Sequence, residues 1–293
     1  MSNTKKNING FSMTLNPSDH GISSTLIRCG CREKAFMHLI KRSICEGDVC
    51  FDLGANIGYT ALHMLRQCGP SGFLYAVEPD PRNIKLLKTN LANNSFTAYS
   101  EISQCVISDT DGEIEFWMST RPNTSSVQKN DKSTKKISVT SYKLGTFLQD
   151  RQHPAFIKMD IEGHEVAVLE AAVPYFLESK VPVKILMEIH PSFYDEENDM
   201  AAVLKAYFDI GFQTKHLVST PIARPKAFKD LGYEPEKEFH TDGFVRAIYS
   251  DVSNKDAIPL ICDEYHEPFF KDGQNKVAKK VVRSMLIERS TDD

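Results

Sequence analysis

Short apolar runs alternate along the chain with segments whose apolar residues recur at helical spacing. The runs at 49–53 and 73–77 are typical of strands buried in a parallel sheet, and residues 59–67 between them have the spacing of a helix. Further apolar runs at 156–160 and 183–189 continue the pattern. The alternation predicts an α/β protein of the Rossmann-like class, with a mostly parallel sheet and helices on both faces.

The remaining segments are interpreted as additions to this central part. We expect residues 1–45 to form an N-terminal lead-in with a frayed beginning and helical pieces, and residues 46–220 to form the main domain. Residues 221–293 are expected to be a C-terminal extension packed on the same domain. Within this extension, the patterns predict an edge strand at 239–249 and a helix at 276–288.

Composition and charge narrow the class of protein. The chain has a net charge of −4 and therefore lacks the excess of basic residues that nucleic-acid binding requires. No apolar run is long enough to cross a membrane. The N-terminus has no apolar segment of a secretory signal, and the seven cysteines are scattered without C-x-x-C pairs. Cys29 and Cys31 lack a second ligand pair for zinc. We expect a cytoplasmic protein with reduced thiols that acts on small molecules.

A glycine turn follows the first central strand and indicates the ligand. The order is Asp52-x-Gly54-x-x-x-Gly58, not the G-x-G-x-x-G of a dinucleotide site. Asp52 would repel a pyrophosphate and suits a ligand with a cationic centre, such as S-adenosylmethionine. Glu78, at the end of the next strand, could accept both ribose hydroxyl protons. The alternative is an unrelated α/β protein in which Glu78 only caps the helix that begins at Pro81.

A second group of ionisable residues lies at two later strand ends. Asp160, Glu162 and Glu165 follow one strand, and Glu188 and His190 end the next. Carboxylates beside an imidazole offer a general base and a group that holds it, or ligands for a magnesium-like ion. Glu165 is interpreted as a partner of the helix dipole, and the neighbouring histidine at 164 as a surface residue. His190 is either the base or a structural turn residue.

The polar stretch 119–136 is interpreted as a mobile loop over this site. It is poor in apolar residues and rich in Ser, Thr, Asn and Lys. Its lysines either steer an acidic substrate or simply belong to a solvated loop. Runs of charged residues favour the second interpretation. They are Lys129, Lys132, Lys135 and Lys136.

The motifs together resemble the FkbM-type family of class I S-adenosylmethionine-dependent methyltransferases. The matching segments are Asp-Leu-Gly-Ala-Asn-Ile-Gly-Tyr-Thr at 52–60, Glu-Pro-Asp-Pro at 78–81, Val-Ile-Ser-Asp at 106–109, Lys-Met-Asp-Ile-Glu-Gly-His-Glu at 158–165 and Met-Glu-Ile-His at 187–190. The resemblance covers roughly residues 20–220 and departs from the family pattern at His164 and around Glu33.

The resemblance implies roles for individual residues. Those implied to bind the cofactor are Asp52, Gly54, Ala55, Asn56, Gly58, Glu78, Ser108 and Asp160, and those implied at the reaction face are Asp160, Glu162, Glu188 and His190. The implied activity is O-methylation of a hydroxyl on a sugar or glycosylated small molecule, with a divalent metal such as magnesium as an open requirement. A nucleotide-cofactor oxidoreductase and a non-catalytic binding protein remain as alternatives.

Overall fold

The structure is a computed structural model that describes residues 2–129, 131–241, 243–271 and 273–290. The helices are α1 Ile22–Cys29, α2 Lys34–Ser43, α3 Tyr59–Cys68, α4 Pro81–Asn93, α5 Leu144–Gln149, α6 Glu165–Ser179, α7 Met200–Asp209, α8 Lys226–Asp230 and α9 Asn254–Cys262. The strands are β1 Thr4–Ile8, β2 Phe11–Leu15, β3 Val49–Leu53, β4 Phe73–Val77, β5 Ser100–Ser103, β6 Val106–Ser108, β7 Gly112–Ser119, β8 Ser133–Lys143, β9 Phe156–Met159, β10 Val183–Glu188, β11 Gln213–Ser219, β12 Lys237–Thr241, β13 Phe244–Ser250, β14 Glu267–Lys271, β15 Gln274–Ala278 and β16 Val282–Arg289. In none of the helices described is an apolar stretch long enough to pass through a membrane.

A nine-stranded sheet forms the centre of the molecule, in the order β12-β13-β11-β16-β10-β9-β3-β4-β5. The strands from β10 to β5 run parallel, and the others pair antiparallel. The predicted Rossmann-like α/β fold is therefore confirmed. Because β9 lies between β3 and β10, the segments that follow these three strands meet at one edge of the sheet, where ligands bind in such folds.

Helices cover both faces of this sheet. Neighbouring residues of β3 point to opposite faces, so that Phe51 packs in one apolar core and Cys50 in the other. The first core contains Leu169 of α6 and the second contains Leu62 of α3. Strands that are buried on both faces must be apolar at successive positions, which explains the short continuous apolar runs in the sequence.

The helix predicted at 276–288 is wrong. This region contains the end of β15 and most of β16, and β16 is inserted between β10 and β11. Met285 and Ile287 pack in one core while Leu286 packs in the other. A strand buried on both faces has no alternation of apolar and polar residues, and by periodicity alone it cannot be told from a buried helix.

The prediction that the chain begins with a frayed segment is also wrong, because Thr4–Ile8 form β1. β1 pairs antiparallel with β2 through a turn at Asn9 and Gly10, both with positive φ, of 53° and 84°. Asn-Gly is the strongest short signal for such a hairpin. Asn90 on α4 accepts a hydrogen bond from Thr14 N at 2.6 Å, which fixes the hairpin to the main domain.

β6, β7 and β8 form a separate three-stranded sheet in the order β6-β8-β7. The loop predicted at 119–136 is therefore wrong for residues 133–136, which belong to β8 and pair with β7. Lys136 forms an ion pair with Glu115 across these two strands. Ser108, which the resemblance implies at the cofactor, ends β6 of this small sheet and is not a strand end of the central sheet.

Candidate active site

A cavity opens at the carboxyl ends of β3, β4, β9 and β10. Its wall includes residues of the glycine turn, of the strand ends, of the small sheet β6-β8-β7 and of the 122–127 segment. They are Leu53, Gly54, Ala55, Asn56, Val77, Glu78, Pro79, Val106, Ile107, Phe116, Pro122, Asn123, Ser125, Ser126, Val127, Lys158, Asp160, Ile161, Glu162, His164 and Glu188. Ile22, Arg32, Glu33, Tyr59, Thr60, Cys105 and Arg283 complete the wall. The structure thus brings most of the site residues expected from the sequence into one space.

The glycine turn is shaped by two close approaches. Gly54 has φ +79°, and a Cβ at this position would collide with the carbonyl oxygen of Asp160. Gly58 directly precedes α3 and has φ +89°. A Cβ added at Gly58 would lie 2.8 Å from Leu87 Cδ1. Ala55 and Asn56 line the cavity, whereas Gly58 does not. The two glycines therefore permit the turn, and Ala55 and Asn56 between them face the cavity.

Glu78 is buried at the end of β4 and faces the cavity. Its Oε2 accepts a hydrogen bond from Asn56 N at 2.8 Å, and its Oε1 accepts hydrogen bonds from Asp80 N and Asn83 Nδ2 at 2.9 and 3.2 Å. Burial raises the pKa of Glu78 to about 7. Asp80 is the N-cap of α4, as predicted for the start of this helix at Pro81. Glu78 therefore braces the helix start without being its cap.

Asp52 does not line the cavity, contrary to the expectation that it would face a cationic ligand. It is fully buried, and its Oδ1 lies 2.9 Å from Nζ of Lys158 on the neighbouring strand. The sequence did not identify Lys158 as the partner of Asp52, although Lys158 is the first residue of the motif at 158–165. A buried lysine next to a strand-end acid was the available signal, because buried charges are almost always paired.

The second group of ionisable residues is assembled as expected. Asp160, Glu162 and Glu188 line the cavity, and one potential ligand atom from each of Asp160, Glu162 and His190 lies within 4.8 Å of the others. His190 is held between carboxylates. Its Nδ1 is 3.0 Å from Glu165 Oε1, and its Nε2 is 3.3 Å from Glu188 Oε1 and 4.0 Å from Asp160 Oδ1.

The electrostatic environment gives these groups different protonation states. Burial by itself would lower the pKa of His190, but hydrogen bonds with Glu165 and Glu188 raise it to about 11. The imidazole is then a cation at neutral pH and cannot accept a proton. Burial, together with the nearby Asp160 carboxylate, raises the pKa of Glu162 to about 8. Glu162 is thus more basic than an ordinary carboxylate.

Glu165 has a larger role than the predicted contact with the helix dipole. It is fully buried, and its Oε1 accepts hydrogen bonds from Ile161 N and Gly163 N at 3.2 and 3.3 Å in addition to its contact with His190. Glu165 therefore fixes both the turn after β9 and the orientation of the imidazole ring. Its position in the first turn of α6 masked this role in the sequence.

His164 is not the surface residue predicted from the sequence. Its side chain is only 14% exposed, and its Nε2 lies 2.8 Å from the hydroxyl of Ser108. Ser108 is buried and also donates a hydrogen bond to Asp109 Oδ1 at 2.8 Å. Ser108 does not line the cavity, so it contacts the site through His164, which does.

Two arginines in the cavity wall were not anticipated. Arg283 of β16 forms an ion pair with Glu188, and Arg32 pairs with Glu33, which has a left-handed backbone with φ 48°. Neither arginine belongs to a motif, and Arg283 lies in the region that the pattern assigned to a helix. The contact of Arg283 follows from the pairing of β16 with β10, two segments far apart in the sequence, whereas Arg32 pairs with its neighbour in the chain.

Comparison with known proteins assigns the chain to a family. The sequence model of the methyltransferase FkbM domain matches residues 52–215, more than half of the chain. The chain belongs to the FkbM methyltransferase family. The family match contains the glycine turn, Glu78 and the acidic cluster, while Arg32 and Arg283 lie outside it. A comparison with curated proteins gives no match.

Solved structures similar to this FkbM-family protein are distant in sequence. Methyltransferase FkbM from Methylobacillus flagellatus KT is 17% identical with a TM-score of 0.43, and the match covers 69% of this chain and 43% of that one. A SAM-dependent O-methyltransferase from Thermotoga maritima is 9% identical, with coverages of 92% and 71% and a TM-score of 0.41. Aeropyrum pernix fibrillarin with bound S-adenosyl-L-methionine is 16% identical, with 74% of each chain covered and a TM-score of 0.38. The chain thus spans less than half the length of the Methylobacillus protein.

Proposed function

We propose that this protein transfers the methyl group of S-adenosylmethionine to a hydroxyl group of a sugar or a glycosylated small molecule. The observation that carries the proposal is the shared cavity, whose wall contains Glu78 in one part and Asp160, Glu162 and Glu188 in another. An alcohol is a poor nucleophile until its proton is removed, so O-methylation needs a cofactor pocket beside a proton acceptor. The saccharide acceptor itself rests on the family resemblance.

In this proposal, the glycine turn and Glu78 bind the nucleoside part of the cofactor. The carboxylate of Glu78 has about four acceptor positions, and three donors from the protein occupy part of them. A ribose hydroxyl can use the remaining capacity on the cavity side. The backbone carbonyl of Asp160 approaches Gly54, and Asp160 lines the same cavity as the turn, so we assign its carboxylate to the cationic part of the cofactor.

Glu162 is the proposed general base. Bound S-adenosylmethionine supplies an electrophilic methyl group, and Glu162 takes the proton of the acceptor hydroxyl. With a pKa of about 8, Glu162 carries its own proton in most molecules at pH 7, and once ionised it is a stronger base than an ordinary carboxylate. His190, held as a cation by Glu165 and Glu188, stabilises the negative charge of the cluster in this arrangement.

A divalent cation such as Mg²⁺ is a second candidate component of the site. Asp160, Glu162 and His190 offer ligand atoms within reach of one ion, and Asp160 Oδ1 is buried with no hydrogen-bond partner among the residues described. His190 would bind the ion through Nε2 after losing that proton, while Nδ1 keeps its contact with Glu165, the arrangement common to metal-binding histidines. The ion would lower the pKa of a coordinated acceptor hydroxyl.

Titration calorimetry with S-adenosylmethionine and S-adenosylhomocysteine tests the cofactor assignment, with NADH as the comparison. We expect both sulfur ligands to bind and NADH not to bind. NADH binding alone would support an oxidoreductase, and binding of none of the three would support a protein that has lost its chemistry. Transfer of a radiolabelled methyl group to a panel of saccharides, with added Mg²⁺ or with EDTA, then tests the acceptor and the metal.

The variant E162Q tests the base. We expect kcat to fall by about 100-fold or more, because general base catalysis contributes that much, while the affinity for S-adenosylhomocysteine stays within about twofold of wild type. The matched control is E170Q, which changes an exposed glutamate on α6 and should leave kcat unchanged. Unchanged turnover in E162Q would remove Glu162 from the mechanism.

A further inference from the structure

Lys158 is buried between two strands of the site, with only 2% of its surface exposed. On β9 it lies opposite Asp52 of β3 in the parallel register. Its Nζ lies 2.9 Å from Asp52 Oδ1, and it donates hydrogen bonds to the carbonyl oxygens of Leu53 and Gly54 at 3.2 and 2.8 Å. Two of the three N–H donors of the ammonium group therefore bind backbone carbonyl groups, and the third contact is the ion pair with Asp52.

The two carbonyl groups belong to the backbone that leads into the glycine turn. The oxygen of Leu53 also accepts a hydrogen bond from Asp160 N at 3.2 Å, so Lys158 contacts the point where the turn meets the reaction face. The amides of Gly54 and Ala55 both donate to Val77 O, at 3.0 and 2.9 Å. The first residues of the turn are therefore held from both neighbouring strands, by Lys158 on one side and by β4 on the other.

A buried ion pair contributes little net stability to a fold, because removing both charges from water costs free energy. The side chains of Asp52 and Lys158 are both almost completely buried, so two charged groups have been removed from water. Replacing a buried ion pair by apolar residues of similar volume is often neutral or stabilising. The geometry of the turn is thus a better explanation for the pair than the stability of the sheet.

We propose that Lys158 is a positioning residue that sets the geometry of the cofactor-binding turn through the carbonyl groups of Leu53 and Gly54. In this role Asp52 acts on the ligand only indirectly, by keeping the ammonium of Lys158 in place. The inference rests on the proposed function for its ligand, S-adenosylmethionine, but the turn geometry can be measured without any ligand.

The test compares K158M with the double variant D52N/K158M, which removes both charges. K158M leaves Asp52 buried and unpaired, so its melting temperature should fall. D52N/K158M should recover most of that loss, yet bind S-adenosylhomocysteine about tenfold or more weakly than wild type. In the ligand-free protein, hydrogen exchange at the Gly54 and Ala55 amides should be faster in both variants.

The matched control is K184M. Lys184 lies on the adjacent strand β10 and donates a hydrogen bond to Ser43 O at 2.9 Å, away from the cavity. It should change neither ligand affinity nor exchange at the turn. If D52N/K158M does not fold, K158R takes its place, since it keeps the charge but presents a planar fork in place of a compact ammonium.

Two results would overturn the inference. The first is wild-type affinity for S-adenosylhomocysteine in a folded variant at position 158, and the second is wild-type exchange at the Gly54 and Ala55 amides in such a variant. If the wild-type protein itself did not bind S-adenosylhomocysteine, the proposed function would fail, and the exchange measurement alone would decide the role of Lys158.

Discussion

At the scale of single residues, the site separates similar carboxylates by their surroundings. Asp52 is paired with Lys158 away from the cavity, whereas Glu78 receives three neutral donors and faces it. Glu188 is paired with Arg283, while Glu162 shares its surroundings with Asp160. A carboxylate without a cationic partner keeps its proton to higher pH when it is buried, so these acids should titrate separately.

Glu78 gives the affinity for the cofactor a specific dependence on pH. Burial raises the pKa of this carboxyl to about 7, and ribose hydroxyls donate to its ionised form. Protonation removes that acceptor, so the affinity for S-adenosylhomocysteine should rise between pH 6 and pH 8, by at most about tenfold per pH unit for one proton. Calorimetry across this range measures the effect.

The variant E78Q provides the comparison. Glutamine does not titrate, so its affinity should be weaker than that of wild type at pH 8 and nearly constant between pH 6 and pH 8. A wild-type affinity that does not change over this range would show that Glu78 is not the acceptor, or that it is already ionised throughout.

At the scale of elements, the site depends on a turn that only glycine can form. Gly54 combines a left-handed backbone with the close approach of the Asp160 carbonyl. Gly30, the C-cap of α1, also has a left-handed backbone, but in the described part of the chain no atom beyond its two chain neighbours lies within 4 Å of the position of its missing Cβ. Comparing substitutions at Gly54 and Gly30 therefore separates the energetic cost of a left-handed backbone from the cost of a steric collision at Cβ.

Urea unfolding of G54A and G30A measures these two costs. G30A should lower the free energy of unfolding by about 1 kcal/mol, the usual conformational penalty. G54A should lower it by at least about 2 kcal/mol more, because overpacking adds its own strain, and it should abolish binding of S-adenosylhomocysteine. Equal losses in the two variants would mean that the carbonyl of Asp160 moves aside without cost.

At the scale of the whole molecule, the last strand completes both the sheet and the site. β16 lies between β10 and β11 and carries Arg283, which pairs with the buried Glu188. The predicted boundary at residue 220 stays a prediction, but strands from both sides of it are adjacent in the sheet. The extension is therefore expected to be needed for folding and for the charge state of the reaction face.

The variant R283M tests this dependence. It leaves Glu188 buried without its guanidinium partner, so the free energy of unfolding should fall by about 3 kcal/mol. R224M is the control, since Arg224 is exposed and water screens its pairs with Glu234 and Glu238, so the loss of stability should be much smaller. Chemical denaturation at neutral pH measures both values. Similar small losses would mean that Glu188 is stabilised by His190 alone.

The sequence by itself determined the features that depend on local backbone and on chain order. The glycine turn, the acid at the end of β4, the cluster after β9 and β10 and the family could all be identified, because each is encoded within a few consecutive residues. Parallel strands then bring these ends to one edge, which made the shared cavity predictable.

The tertiary structure alone decided which atoms face one another across distant segments. Asp52 turns toward Lys158, His190 becomes a cation between Glu165 and Glu188, and β16 inserts into the sheet as a strand. The charge and orientation of a buried side chain depend on its neighbours in space, and an apolar run buried on both faces carries no periodicity that would distinguish strand from helix. The local sequence could therefore identify the residues of the site but not the ion-pair or hydrogen-bond partner of each residue.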